Sequence, residues 1–120
     1  MSEPPVAVNL AAKLAQFDEP WSPRTVARFN GHDVMVAKFE GDFVWHSHPD
    51  TDDLFLVLSG DVTIRLREGD VELRPGELFV VPLGVEHQPG TTDGAEVLLI
   101  EPTGTPNTGD RATAAPRIEI

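Results

Sequence analysis

Turn residues recur along most of this chain at intervals too short for helices. From Thr25 to Glu101, short runs of apolar or alternating residues are separated by clusters of Gly, Pro, Asn and Asp. Thr25–Phe29 and Asp33–Phe39 flank Asn30-Gly31-His32, and Asn-Gly is a strong hairpin signal. Further strands are expected at Val44–His48, Asp53–Leu58, Val62–Leu66, Val71–Leu73, Leu78–Val81, Val85–Gln88 and Ala95–Glu101. Loops are expected at 49–52 and 90–94. Strands and turns at this spacing predict an all-β sandwich or barrel. A single short helix precedes them over residues 9–17, with Asn9 as N-cap and Leu10, Leu14 and Phe17 on one face. Pro20 and Pro23 end it.

The chain has 120 residues, enough for one domain with its own core. It has no cysteine, which excludes disulfides, thiolate metal sites and a cysteine nucleophile. The formal charge of −11 repels phosphate backbones, and no basic cluster offsets it. Nucleic acid and anionic membranes are therefore not expected as partners. Residues 1–8 read as a loose, proline-rich start without the basic flank and apolar run of a signal peptide. No apolar stretch reaches the roughly 18 residues of a membrane span, so a cytoplasmic location is expected.

His46-Ser47-His48 carries the chemistry. Alternate residues of a strand share a face, so the two rings project together with Cβ atoms roughly 7 Å apart. Two imidazoles so placed can converge on one metal, whose bonds to nitrogen are only about 2.0–2.1 Å long. Asp53 and His87 extend the constellation. The alternation that turns Phe55 and Val57 inward also turns Asp53 inward and Asp52 outward.

The spacing Gly41-x4-His46-x-His48-x4-Asp53-x6-Gly60 resembles the first cupin motif, usually G-x5-H-x-H-x3–4-E-x6-G. Gly76-x5-Pro82-x-Gly84-x2-His87-x3-Thr91 resembles the second, usually G-x5-P-x-G-x2-H-x3-N. The whole chain is similar to small single-domain type-2 cupins of the mannose-6-phosphate-isomerase-like kind. There are three departures: the first spacing is one residue short, Asp53 stands where the family has Glu, and Thr91 replaces Asn. The resemblance implies a double-stranded β-helix, or jelly-roll barrel, over residues 25–101. Residues 1–24 then form an N-terminal segment with the helix, and 102–120 a tail packed on the barrel or on a partner subunit.

By the same resemblance the metal ligands are His46, His48, Asp53 and His87. Asp is one methylene shorter than Glu, so Asp53 binds directly at a shifted metal, binds through water, or leaves a three-histidine site. Three imidazoles and a carboxylate suit divalent Fe, Mn, Co, Ni, Cu or Zn rather than the oxygen-seeking Ca or Mg. Two functions follow. One is a metal-dependent enzyme, of dioxygenase or isomerase type, acting on a small oxygen-rich molecule in the barrel. The other is a non-catalytic metal- or small-molecule-binding or sensor module. Catalytic residues beyond the ligands are not legible.

Other residues have plainer readings. His32 is a turn residue, Trp45 faces away from the ligands, and Trp21 covers one end of the barrel. Phe43 closes a pocket mouth or simply packs, while Phe55, Val57, Phe79 and Val81 belong to the core. Lys38 and Arg65 bind an anionic substrate only if they face inward. Leu54–Leu58 is apolar on both faces, which, with Trp45, leads to the expectation of a homodimer.

Overall fold

Met35, Val36 and Ala37 are all fully buried in the computed structural model, although neighbours on a strand point to opposite faces. Their strand is covered on both sides. Met35 and Ala37 join Phe55, Val57, Ile64, Val97 and others in the main core. Val36 faces the other way, onto Leu14 and Phe17 from the N-terminal segment. The structure describes residues 6–120. The first five residues of the proline-rich start, on which the absence of a signal peptide was read, lie outside them.

The elements run α1 (Leu10–Leu14), β1 (Arg24–Phe29), β2 (His32–Asp42), β3 (Asp53–Gly60), β4 (Val62–Leu66), β5 (Gly69–Leu73), β6 (Leu78–Val81), β7 (His87–Pro102) and β8 (Ile118–Glu119). Helix α1 is shorter than the expected residues 9–17. Asn9 caps it as expected, accepting the Ala12 N–H at 2.9 Å. Phe17 lies past its end and is still buried. Near the end of the chain, Ile118–Glu119 pairs in parallel with the first residues of β1.

The expected closed jelly-roll barrel is not what the strands form. The sheet is open, in the order β5-β4-β7-β2-β1-β8, with β3 branching from β7 and carrying β6. Among the described residues, β5, β6 and β8 remain edges. The expected strand at Val44–His48 is not formed: among the described residues this segment makes one bridge, His46 to His87. Proline explains why the ladder stops. Pro89 has no N–H to return a bond on one side of the bridge, and Pro49 interrupts the chain on the other.

The segments read as Val85–Gln88, a loop at 90–94 and Ala95–Glu101 are largely a single strand, β7, of 16 residues. One side of β7 pairs with β2 from His32 to Asp42. The other side pairs with β3 and then with β4. Thr92, Asp93 and Gly94 have no ladder partner on either side of β7, so the local turn signal survives there as a bulge between Thr91 and Ala95. A register shift between Val57 and Ser59 bends β3 there. Gly60 completes that bend at φ +74, where a Cβ would lie 2.2 Å from the Gly94 carbonyl oxygen.

Candidate metal centre

His46 and His87 are locked together through the backbone. The His46 N–H donates to the His87 carbonyl at 3.0 Å, and the His87 N–H donates to the His46 carbonyl at 2.9 Å. Each ring then turns back on its own chain. Nδ1 of His46 lies 2.9 Å from the Val44 carbonyl oxygen, and Nδ1 of His87 lies 2.9 Å from that of Val85. A carbonyl only accepts, so Nδ1 carries the proton in both rings. Nε2 of each neutral ring keeps a lone pair, as a metal-ligating imidazole requires.

Asp53 begins β3, buried on the same face as Phe55 and Val57, while Asp52 is exposed and accepts the Leu83 N–H at 2.9 Å. Asp53 Oδ2 lies 3.2 Å from Nε2 of both His48 and His87. His87 therefore points a lone pair at a carboxylate oxygen, an arrangement that needs a proton or a cation between the two atoms. His48 is 3% exposed, and among the described residues neither of its ring nitrogens has an aligned hydrogen-bond partner. Buried polar atoms left in this way are costly unless something unseen by the protein atoms satisfies them.

Ligand atoms of His46, His48, Asp53 and His87 all lie within 4.8 Å of one another. Bonds of about 2.1 Å place opposite ligands about 4.2 Å apart, so a contraction of a few tenths of an ångström gathers all four. The cluster is capable of coordinating a divalent metal ion. Burial, helped by the neighbouring His87 and His48 rings, lowers the His46 pKa to about 4, so the ring is neutral near pH 7. Burial opposes ionisation of Asp53, but the His48 and His87 rings facing it outweigh that and hold its carboxyl below the usual range.

Sequence reading passed over Glu101. It is 3% exposed at the end of β7, with Oε2 3.6 Å from Nε2 of His48. Burial first, and then the Asp53 charge, push its carboxyl up; Arg117 pulls the other way. A signal was present, because Ala95, Val97, Leu99 and Glu101 alternate onto one buried face.

A cavity reaches this cluster. Trp21, Phe39, Phe43 and Phe55 form much of its wall, and His46, Asp53 and Glu101 also border it. Phe43 thus lines the cavity, and Trp21 is a wall of the site as well as a cover. Lys38 instead donates to the Phe17 carbonyl at 2.6 Å, and Arg65 pairs with Asp42 at 2.8 Å. Neither lines the cavity. Trp45 faces away, under the Arg67 guanidinium at 3.8 Å, and His32, expected in the turn, instead opens β2 with its Nδ1 2.8 Å from the Asn30 carbonyl oxygen.

Comparison with known proteins agrees with this geometry. The family model described as "Cupin domain" matches residues 33–101. The chain is 32% identical over 81 residues to the uncharacterized protein YdbB of Bacillus subtilis (strain 168), covering 67% of this chain and 72% of YdbB. It is 40% identical, with a TM-score of 0.78, to a cupin-2 domain containing protein from Shewanella frigidimarina NCIMB 400, covering 79% of this chain and 93% of that one. It is also 32% identical, with a TM-score of 0.74, to NMB1881 from Neisseria meningitidis, covering 82% of this chain and all of that one (100%). With the family match spanning more than half of its length, the chain belongs to the cupin superfamily.

Proposed function

We propose that His46, His48, Asp53 and His87 ligate one divalent first-row transition ion, and that the chain is a metal-dependent enzyme of the dioxygenase type. The observation that carries the metal reading is the His87 Nε2 lone pair 3.2 Å from an Asp53 oxygen, with His48 unpartnered beside them. The motif likeness to the small type-2, mannose-6-phosphate-isomerase-like cupins supports the same ligand set. An ion held there supplies Lewis-acid polarisation of a bound oxygen and, where it is redox-active, a route for electrons to dioxygen.

The protein's own groups do the remaining work. Backbone carbonyls fix the His46 and His87 rings with Nε2 toward the cluster. The apolar wall excludes water, and Glu101 holds a carboxyl beside the site. An isomerase needs a group to carry a proton between carbons, and among the described residues Glu101 is the one titratable lining residue outside the cluster. The mostly apolar wall offers few polar partners to a hydroxylated isomerase substrate, which favours oxygen-dependent chemistry. A non-catalytic small-molecule-binding module is the second reading, favoured by the small size of the cavity. We also propose that a second copy of the chain covers the apolar outer face of β3, β6 and β7.

Protein purified without an affinity tag should carry close to one equivalent of metal by elemental analysis. The His46→Ala/His87→Ala variant should bind zinc at least about 10–100-fold more weakly. Unchanged metal content in that variant would sink the assignment. Iron-loaded protein should consume oxygen with a catechol, a β-diketone or a thiol; silence across all three moves the reading to the binding module.

A further inference from the structure

We infer that Glu101 is a fifth protein ligand of the ion held by His46, His48, Asp53 and His87, so that three imidazoles and two carboxylates share it. The inference rests on the metal reading above and deepens it.

Register comes first. Asp33 on β2 pairs directly with Glu101 on β7. On the other side of β7, Phe55 pairs with Leu99 and Leu54 with Ile100. The same register carried one residue further sets Asp53 beside Glu101. Residues opposite one another in an antiparallel pair share a face, with Cβ atoms about 4.5–5.5 Å apart. Three carboxyl groups thus form one row across the inner face of the sheet, and all three are buried. Like charges set opposite one another destabilise a sheet, so a row of this kind needs cations against it.

Partners come second. Asp33 has Arg28 at 3.2 Å and Arg117 at 2.8 Å. Asp53 has the His48 and His87 rings, each at 3.2 Å. Glu101 stands between them with no Lys or Arg nitrogen within 4.0 Å among the described residues; what it has in that range is Nε2 of His48, at 3.6 Å. That separation is too long for a hydrogen bond. A glutamate is almost never fully buried without a partner.

Distance comes third. Two donors on one ion, with bonds of about 2.1 Å, lie about 3.0 Å apart at right angles and about 4.2 Å apart when opposite. The Glu101–His48 separation falls inside that range, as do those from Asp53 to His48 and His87. Glu101 adjoins the four-residue group at its His48 edge, and rotation about its side-chain bonds carries the carboxylate onto the ion.

Charge comes last. A dication with Asp53 alone leaves a net positive charge in a buried site, and uncompensated buried charge is costly. Asp53 and Glu101 together cancel it.

Zinc calorimetry and the visible spectrum of the cobalt-loaded chain test this. Glu101→Gln, close to the native side chain in shape, should bind zinc at least about tenfold more weakly than the wild type. Its cobalt bands should shift and intensify, because losing a ligand lowers the coordination number. A Glu101 that merely packs would leave those bands where they are. Circular dichroism confirms that the variant is folded. If Glu101→Gln does not fold, Glu101→Asp replaces it and should show the same losses, because its carboxylate is drawn back by one methylene. Wild-type zinc affinity or an unchanged cobalt spectrum in the folded variant overturns the inference and leaves the four-ligand site standing. A wild-type chain that takes up neither zinc nor cobalt overturns the metal reading itself.

Discussion

Asp53 and Glu101 share one buried site, and their surroundings push them in opposite directions. With His46 they set how the metal-free protein responds to pH. His46 has an ordinary value of 6.5 and is held at about 4. Between those values the unfolded chain binds the extra proton, so stability falls as pH drops through the window. Asp53, held below its ordinary 3.8, adds to the loss at lower pH still. Glu101 has an ordinary value of 4.5 and is raised to about 9. There the folded chain binds the extra proton, so stability falls as pH rises through that window. Each slope is about 1.4 kcal/mol per pH unit. The two cancel between 4.5 and 6.5. Urea midpoints of the metal-free chain should therefore be flat across that range and fall on both sides. Glu101→Gln should remove the alkaline decline and keep the acid one; a wild-type midpoint that rises from about pH 7 to 9 would contradict the account. At this scale much was legible. Alternation with Phe55 and Val57 was enough to turn Asp53 inward. Glu101 escaped notice because one carboxylate at a strand end looks like a solvated terminus until the pairing partner of that strand is known.

Among the elements, the tail from Thr103 to Arg117 bears most directly on the site. Arg117 Nη1 donates to Asp33 Oδ2 at 2.8 Å, and Asp33 is fully buried. Arg117 also donates to the Thr105 carbonyl, so one side chain fastens both ends of the tail. Gly109 passes so close to the segment between His46 and His48 that a Cβ on it would stand 2.1 Å from the Ser47 carbonyl oxygen. Arg117→Met should therefore loosen the cover over the ligand segment. Asp33 would keep Arg28 at 3.2 Å and Thr103 at 2.8 Å. The cost should fall below the 3–5 kcal/mol of a fully broken buried pair, at about 2 kcal/mol. Urea unfolding measures the cost, and faster proteolysis within 103–116 reports the release. Unchanged cleavage would show that Arg117 is not the fastening. The tail was expected to pack on the barrel or on a partner subunit, but its partner at Asp33 lies 84 residues away and leaves no local trace. Val44–His48 failed in the opposite sense. Its alternation has the form of a strand, while the residue that stops its ladder, Pro89, belongs to a different element.

On the scale of the whole molecule, the same non-local dependence explains why closure could not be read in advance. Whether a sheet closes depends on which edges meet, and alternation within single strands does not encode that. The outer face is more informative. Two rows of apolar residues cross the strands in register: Val80, Leu54, Ile100 and Val34 in one, and Leu78, Leu56, Leu98 and Val36 in the other. Helix α1 and Phe17 cover Val36 at one end. At the other end Leu78 is 57% and Val80 39% exposed. A second copy related by a two-fold axis can lay the same rows against these, because such an interface is self-complementary. The charge of −11 on each copy opposes that approach. The repulsion is long-ranged and screened within about 8 Å at physiological salt, whereas apolar contact is not screened. Association should thus tighten with salt: light scattering at micromolar protein should give a dimer in about 0.15 M NaCl, with dissociation favoured at about 0.01 M. Leu56→Glu/Leu78→Glu should give a monomer that still binds zinc, since neither residue lines the cavity. A wild-type monomer at both salt concentrations would leave the face without its second copy.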